Sequence, residues 1–105
     1  MATFIPAHGE PFHVFPPAGR TAFTLQELQH YVGGYLETVA TGRIITPDGR
    51  LCVLFVNEDG KRGPSPINAF ATALVRAYLQ PDDVIAGDAI LCTLAEAGEG
   101  EDTHG

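Results

Sequence analysis

The sequence predicts a small α+β domain in which one mixed or antiparallel sheet of about five strands is packed by two helices. Three observations lead to this prediction. Residues 24–39 combine a helix signal, a glycine stop and the alternating pattern of a strand. Residues 50–57 form a nearly continuous apolar run of strand length, and residues 65–79 carry a second apolar stripe at helical spacing. Short connections between these segments favour antiparallel or mixed pairing.

The length of the chain and the position of its acidic residues suggest where the domain ends. A chain of 105 residues has room for one hydrophobic core, so we expect a single domain over residues 1–95. Acidic residues crowd the glycine-rich segment 96–105, EAGEGEDTHG, which we expect to be an acidic disordered tail.

The N-terminal segment contains two short apolar pieces, residues 2–6 and 12–16, each ending in a proline. Proline lacks the N–H that a sheet ladder needs, and this loss does least harm at an edge. We therefore expect a loose hairpin at the edge of the sheet.

The first helix has signals at both of its ends. Thr24 and Glu27 match a capping box, and Phe23 with Leu28 matches a hydrophobic staple. Gly33-Gly34 should stop the helix, because glycine adopts the left-handed conformation of a C-cap without a Cβ clash. The predicted buried face consists of Leu25, Leu28 and Val32.

Three strands are predicted in the middle of the chain. Residues 35–40 alternate with period two, and residues 43–46 form a short strand after a turn at Thr41-Gly42. After a second turn, the apolar run 50–57 is predicted to be the central strand, covered on both faces.

The second helix is predicted to begin after the polar loop 58–64, with Ser65 as its cap and Pro66 at its first position. A last strand over residues 84–94 follows, with Gly87 as a bulge. The predicted apolar stripe of this helix consists of Ile67, Phe70, Ala71, Leu74, Tyr78 and Leu79.

Composition limits the classes of function. The formal net charge of −7 and the pI near 4.8 argue against general nucleic-acid binding through phosphate neutralisation. Cys52 and Cys92 lie in apolar runs and are interpreted as buried thiols in a reducing compartment, with a bridge between neighbouring strands as the alternative. No basic-apolar leader is present and no apolar run is long enough to span a bilayer, so we expect a soluble cytoplasmic protein without membrane binding.

Three groups of residues resemble a small protein family of unknown function found in bacteriophages, plasmids and actinobacterial genomes. The first group is Leu25, Leu28, Gln29, Val32-Gly33-Gly34-Tyr35 and Glu37. The second is Val56-Asn57-Glu58-Asp59-Gly60-Lys61, then Asn68 and Ala71-Thr72, and the third is Ile85 with Gly87-Asp88. The resemblance extends over residues 23–94. It implies a phage-like accessory domain and brings no established activity and no catalytic residues.

The loop at residues 60–65, GKRGPS, with Lys61 and Arg62 side by side, is the most suggestive local feature for a ligand site. It carries two of the six Lys and Arg residues of the chain, flanked by glycines that let a backbone approach a ligand. The helix start that follows offers N–H groups and a positive dipole end, which suit a phosphate or another anion. The alternative is an ordinary solvated turn. The spacing is not that of a P-loop.

The polar members of the family-like groups could also converge on a pocket. Gln29, Glu37, Asn57 and Asn68, with Glu58 and Asp88, are the candidates for contacting a small polar ligand. The alternative is that both asparagines satisfy backbone groups of turns and caps, while the glutamates are surface charges.

Signals for catalysis and for metal binding are weak. The four histidines show no ligand spacing, and no nucleophile–base arrangement stands out. Glu37 and Glu58 are the carboxylates that a hydrolase would use. We therefore expect no enzyme, no metal and no cofactor.

The favoured function is a non-catalytic binding protein that holds a small anionic or nucleotide-like ligand. With the phage-like resemblance, this suggests the hypothesis that it sequesters a signal in counter-defence against a bacterial host. The alternative is an acidic interaction module that inhibits a host enzyme, since the charge would favour a basic partner. A small metal-dependent nucleotide hydrolase is the second alternative. We expect a homodimer or higher oligomer, because a small sheet has open edges.

Overall fold

A computed structural model describes residues 2–98 as a five-stranded antiparallel sheet with one helix on each face. The strand order is β2-β1-β5-β4-β3. This architecture confirms the predicted α+β class with two helices. The elements are β1 (Ala2–Ile5), β2 (Phe12–Val14), α1 (Leu25–Val32), β3 (Leu36–Ile45), β4 (Leu51–Asn57), α2 (Ala69–Val75, continued by a 3-10 turn over Arg76–Tyr78) and β5 (Ala89–Thr93).

The two faces of the sheet form two separate hydrophobic clusters, because successive residues of a strand point to opposite sides. The helix α1 packs on one cluster, which includes Phe23, Leu28, Val32, Val53, Phe55 and Ile90. The helix α2 packs on the other, which includes Ile5, Leu54, Val56, Ala71, Val75 and Ala89. Residues 52–56 of β4 are all buried, which confirms that this apolar run is an internal strand covered on both faces.

The ends of α1 follow the sequence prediction. The Glu27 N–H donates to the Thr24 hydroxyl at 3.2 Å, and the Thr24 N–H donates to the Glu27 carboxylate at 2.8 Å, which completes the capping box. Gly33 has φ 80° at the C-cap. Leu25 is the exception to the predicted buried face, since it is 57% exposed at the first position of α1, while Leu28 and Val32 are buried.

The predicted strands 35–40 and 43–46 are one continuous strand, β3. A register shift between Val39 and Ile44 takes the place of the predicted turn. Ala40 with φ 56° and Gly42 with φ 70° bend the backbone there, as residues in a bulge do. The edge strand therefore changes direction without ending.

The second helix starts later than predicted. Its cap is Asn68, whose side-chain oxygen accepts from the Ala71 N–H at 3.0 Å, and not Ser65. Residues before it are extended, because Ile67 bridges Ala86 and the Gly87 N–H donates to a backbone oxygen of that segment. This shift changes the buried face to Ala71, Thr72 and Val75 and leaves exposed three members of the predicted stripe, Ile67, Phe70 and Tyr78.

The last strand is shorter than residues 84–94. The segment before Ala89 is irregular, and Gly87 takes a left-handed conformation with φ 85°. Both cysteines are buried and free. Cys52 pairs with Thr93 and therefore shares a face of the sheet with it. Cys92 precedes Thr93 and points to the opposite face, which removes the alternative of a bridge between the two cysteines.

The folded region continues past β5 into the predicted tail. Glu96 is buried, and its carboxylate accepts from both the N–H and the hydroxyl of Thr93. Its backbone oxygen accepts from the Phe23 N–H at 2.8 Å. Residues 99–105 of the predicted tail lie outside the described residues. Within residues 2–98, no helix has the length and apolar character needed to cross a membrane.

Candidate functional site

A small polar hollow lies where the loop after β4 meets the loop before β5. Three of the predicted site residues, Glu37, Asn57 and Lys61, line it together with Asp83. Its volume is about 60 Å³. This is far below the range of roughly 300–1,000 Å³ in which small-molecule pockets usually fall, so the hollow has room for a few waters.

The cation of the polar hollow is already paired. The Lys61 ammonium contacts the Asp83 carboxylate, and this hydrogen bond is the main reason that the pKa of Asp83 lies below its usual value. Arg76 fixes the loop that carries Asp83, since its guanidinium donates to the backbone oxygens of Gln80, Pro81 and Asp83 at 2.8–3.2 Å. With two carboxylates and one ammonium, the hollow does not favour a further anion.

The second predicted cation is also paired. Arg62 lies 3.4 Å from Asp59, and its side chain is 82% exposed. An anion bound by the loop would therefore have to compete with carboxylates at both Lys61 and Arg62.

Two other predicted site residues support the backbone. Asn57 donates to the Val32 carbonyl at 3.2 Å and accepts from the Asp59 N–H at 2.8 Å, which joins the end of α1 to the loop. Gly60 is buried against the facing loop, and a Cβ built on it would lie 2.4 Å from the Ala86 backbone oxygen. Glycine is needed there because two backbones come close together.

The remaining two predicted residues lie away from the polar hollow. Asn68 is buried at the start of α2, where its amide donates to the carbonyls of Ile5 and Gly87 at 2.8 and 2.9 Å. Gln29 belongs to α1, which covers the opposite face of the sheet. The structure thus brings together part of the predicted set and gives its asparagines structural partners.

The face of the sheet that carries α2 is only partly covered. Four gaps of about 4.8 Å make a five-stranded sheet about 19 Å wide, whereas a helix with its side chains is about 10 Å across. The helix α2 has seven residues and packs over the part of the sheet near Ile5, Val56 and Ala89. The rest of this face forms an open groove.

This sheet groove has a volume of about 600 Å³, and apolar side chains supply most of its surface. The strand register accounts for its position, because residues that pair directly across strands share a face. Thr3 pairs with Leu91, and Cys52 pairs with Thr93 on one side and with Ile44 on the other. The lining residues are Thr3, His13, Ile44, Ile45, Thr46, Pro47, Asp48, Arg50, Leu74, Leu91 and Thr93.

One end of the sheet groove is polar. There the hairpin between β3 and β4 places Arg50 with its Nε 3.2 Å from the Asp48 carboxylate. The Thr46 hydroxyl donates to the other oxygen of Asp48 and accepts from the Arg50 N–H at 2.9 Å. The hydrogen bond from Thr46 and the charge of Arg50 lower the pKa of Asp48, so this carboxylate is ionised at neutral pH.

The other side of the sheet groove reaches the edge strand β2. His13 Nδ1 lies 3.4 Å from the Thr3 hydroxyl. The same two residues also line an adjoining hollow with Phe12 and Phe70, whose side chains are 54% and 55% exposed. The Phe12 ring contacts Phe4 on the face that α1 covers, so a ligand in the sheet groove would extend towards Phe70 alone.

The described residues show no built metal centre. Within residues 2–98, no group of three or more His, Cys, Asp or Glu side chains is placed to hold a metal ion. Of the two carboxylates considered for a hydrolase, Glu37 lines the polar hollow and Glu58 does not.

The sequence analysis missed the sheet groove. Its lining residues come from four strands, from the turn between β3 and β4 and from α2, so no local motif links them. One signal was present in retrospect. Thr3 and His13 are polar and pair across the N-terminal hairpin, which places both on the face that the short α2 does not fully cover.

Comparison with known proteins places most of the chain in one family. A family model described as a domain of unknown function (DUF3846) matches residues 9–104. The comparisons with curated proteins and with solved structures give no match. The matched range contains the polar hollow and nearly all of the sheet groove. The description agrees with the predicted membership of a family of unknown function, and it names no activity or partner.

Proposed function

The chain belongs to the DUF3846 family of domains of unknown function, and we propose that it is a non-catalytic binding protein that holds a small ligand in the sheet groove. The observation that carries this proposal is the open half of the sheet face beside α2. Its volume of about 600 Å³ is that of a small-molecule site, and its surface is mainly apolar with a few polar groups at the ends.

The apolar floor supports binding of a ligand with an apolar body. Leu91 and Ile44 lie on neighbouring parts of the sheet, and Leu74 of α2 forms a wall; all three side chains are partly exposed. Covering them would remove apolar surface from water, which contributes about 25 cal/mol per Å². The ligand would be held stoichiometrically, without bond making or breaking.

This proposal moves the expected ligand site from the loop at Lys61 and Arg62 to the sheet groove. Both loop cations already contact carboxylates, and the polar hollow beside them holds only about 60 Å³. We keep the role suggested by the phage-like resemblance, the sequestering of a small host signal in the bacterial cytoplasm, as a hypothesis about the ligand of the groove.

The first test fills the sheet groove with a side chain. Thr3→Trp places an indole over the floor of the groove, and Thr38→Trp makes the same change at an exposed position of β3 on the opposite face. Titration with N-phenyl-1-naphthylamine, a neutral apolar dye that fluoresces when bound, measures occupancy. We expect Thr3→Trp to weaken binding at least tenfold and Thr38→Trp to leave it unchanged.

A double variant distinguishes the sheet groove from the loop at Lys61 and Arg62. The double change Lys61→Ala with Arg62→Ala should leave dye binding unchanged if the groove is the site. Equal dye binding by Thr3→Trp and Thr38→Trp would refute the groove proposal. Loss of a co-purified small molecule in the Lys61/Arg62 variant, read by native mass spectrometry, would return the site to the loop. The same spectra measure the oligomeric state, which we expect to be a dimer or higher.

Exposed apolar residues favour an interaction module as the second candidate function. Ile45 is 63% exposed and lines the sheet groove, and Phe70 is 55% exposed and lines the adjoining hollow. Apolar side chains grouped in this way are typical of protein contacts. If Thr3→Trp blocked a host protein in a pull-down while the dye and mass spectra showed no small ligand, this candidate would replace the first.

A further inference from the structure

The hydrogen-bonding groups at the polar end of the sheet groove indicate which kind of ligand it would hold. The hairpin between β3 and β4 brings Thr46, Asp48 and Arg50 to the rim, next to the apolar floor. The turn is closed by the Gly49 N–H, which donates to the Thr46 carbonyl at 2.9 Å. These three side chains therefore have a defined arrangement, and their remaining donors and acceptors can be counted.

The acceptors at this end are occupied. The Thr46 hydroxyl donates to Asp48 Oδ1, and the Arg50 guanidinium contacts Oδ2 at 3.2 Å. Each oxygen of the carboxylate thus has a partner within the hairpin. A ligand cation near Asp48 would compete with Arg50 and Thr46 for these oxygens.

The donors at this end are largely unoccupied. A guanidinium carries five N–H donors, and Arg50 uses the Nε edge to face Asp48. Within residues 2–98, the structure shows no protein acceptor for its two terminal nitrogens. The Arg50 side chain is 63% exposed, so these nitrogens are accessible to a ligand. The forked geometry of guanidinium suits the paired oxygens of carboxylates and phosphates.

We propose that the ligand of the sheet groove is an amphipathic anion, with an apolar body on the floor near Leu91 and a carboxylate or phosphate bound by Arg50. This inference rests on the proposed function and names the chemical class of its ligand. His13, at the other end of the floor, offers a further polar contact beside Thr3. Asp48 competes with the anion for Arg50, as Asp59 would for Arg62, but Arg50 also borders an apolar floor and Arg62 does not.

The experiment uses two dyes with the same rings. N-phenyl-1-naphthylamine is neutral, and 1-anilinonaphthalene-8-sulfonate adds one anionic sulfonate. We expect Arg50→Gln to weaken sulfonate binding about tenfold, which corresponds to about 1.4 kcal/mol, and to leave the neutral dye unchanged. Asp48→Asn should strengthen sulfonate binding, because it removes the opposing charge. Arg62→Gln makes the same change of charge away from the groove and should have no effect on either dye.

The outcomes separate the two proposals. If the neutral dye does not bind, or binds equally to Thr3→Trp, the proposed function fails and this inference fails with it. If Thr3→Trp blocks both dyes while Arg50→Gln leaves the sulfonate unchanged, the function stands and the anionic class is overturned. Equal effects of Arg50→Gln and Arg62→Gln would mean that sulfonate binding depends on the overall charge of the protein, and this would also overturn the anionic class. Displacement of the neutral dye by decanoate and by decyl phosphate distinguishes carboxylate from phosphate, and equal displacement by decanol contradicts the anionic class.

Discussion

Replacing Asn68 by alanine should destabilise the domain strongly, because one buried side chain holds three parts of the fold together. Its oxygen caps α2, and its amide donates to the carbonyls of Ile5 in β1 and Gly87 before β5. Loss of a cap costs about 1 kcal/mol, and each buried carbonyl left without a donor costs about 1–3 kcal/mol. We expect Asn68→Ala to lower the free energy of unfolding by about 3–5 kcal/mol in urea titrations followed by circular dichroism.

Two further variants separate the cap from the carbonyl contacts. Asn68→Ser keeps an oxygen that can cap α2 and loses the amide donors, so it should recover about 1 kcal/mol relative to alanine. Thr24→Ala removes the exposed cap of α1 and should cost about 1 kcal/mol. A loss below about 1.5 kcal/mol for Asn68→Ala would refute the assignment of both carbonyls to this side chain. It would also reopen a ligand-binding role for Asn68.

The other predictions concern the neighbouring loop and the thiols. Gly60→Ala should cost about 1–3 kcal/mol in urea because its Cβ would overlap the Ala86 carbonyl, while Gly63→Ala, whose Cβ would meet nothing within 4 Å, should be nearly neutral. The folded-state pKa of Asp83 is lowered by Lys61, so their pairing stabilises the fold above pH 3.8, the ordinary value, and is lost as pH falls through the lower pKa. The difference in stability between the native protein and Lys61→Met should therefore shrink on acidification, and a constant difference down to pH 2 would contradict it. Burial raises the pKa of both cysteine thiols, so they should react with a disulfide reagent only as urea unfolds the protein, and fast labelling of the folded protein would show that they are accessible.

Local signals predicted the elements whose ends are set by nearby residues. The cap at Thr24 and the stop at Gly33 depend on contacts within the first helix and its flanks, and both were read correctly. The second helix was misplaced because Ser65 is an equally good cap in isolation. The backbone beside Ser65 instead pairs with the segment around Ala86, about twenty residues further along the chain, and the cap moves to Asn68.

The candidate site was less predictable because it depends on pairing between distant residues. Lys61 looked available for a ligand, since its partner Asp83 belongs to a different loop. The sheet groove depends on the register that brings Thr3 beside Leu91, and on the length of α2, which is shorter than the apolar stripe suggested. Neither quantity can be obtained from a local pattern.

The position of β5 also has a consequence for how the protein is made in the cell. This strand is the last one within residues 2–98, yet it lies between β1 and β4 in the middle of the sheet. A ribosome therefore releases two separate hairpins, β1–β2 and β3–β4, each with one inner edge that has no partner until residue 93 has emerged. Open strand edges of this kind invite contacts between nascent chains. The sheet should be completed only after residue 93 has left the exit tunnel, and a pause in translation before β5 would leave the domain at its most aggregation-prone stage.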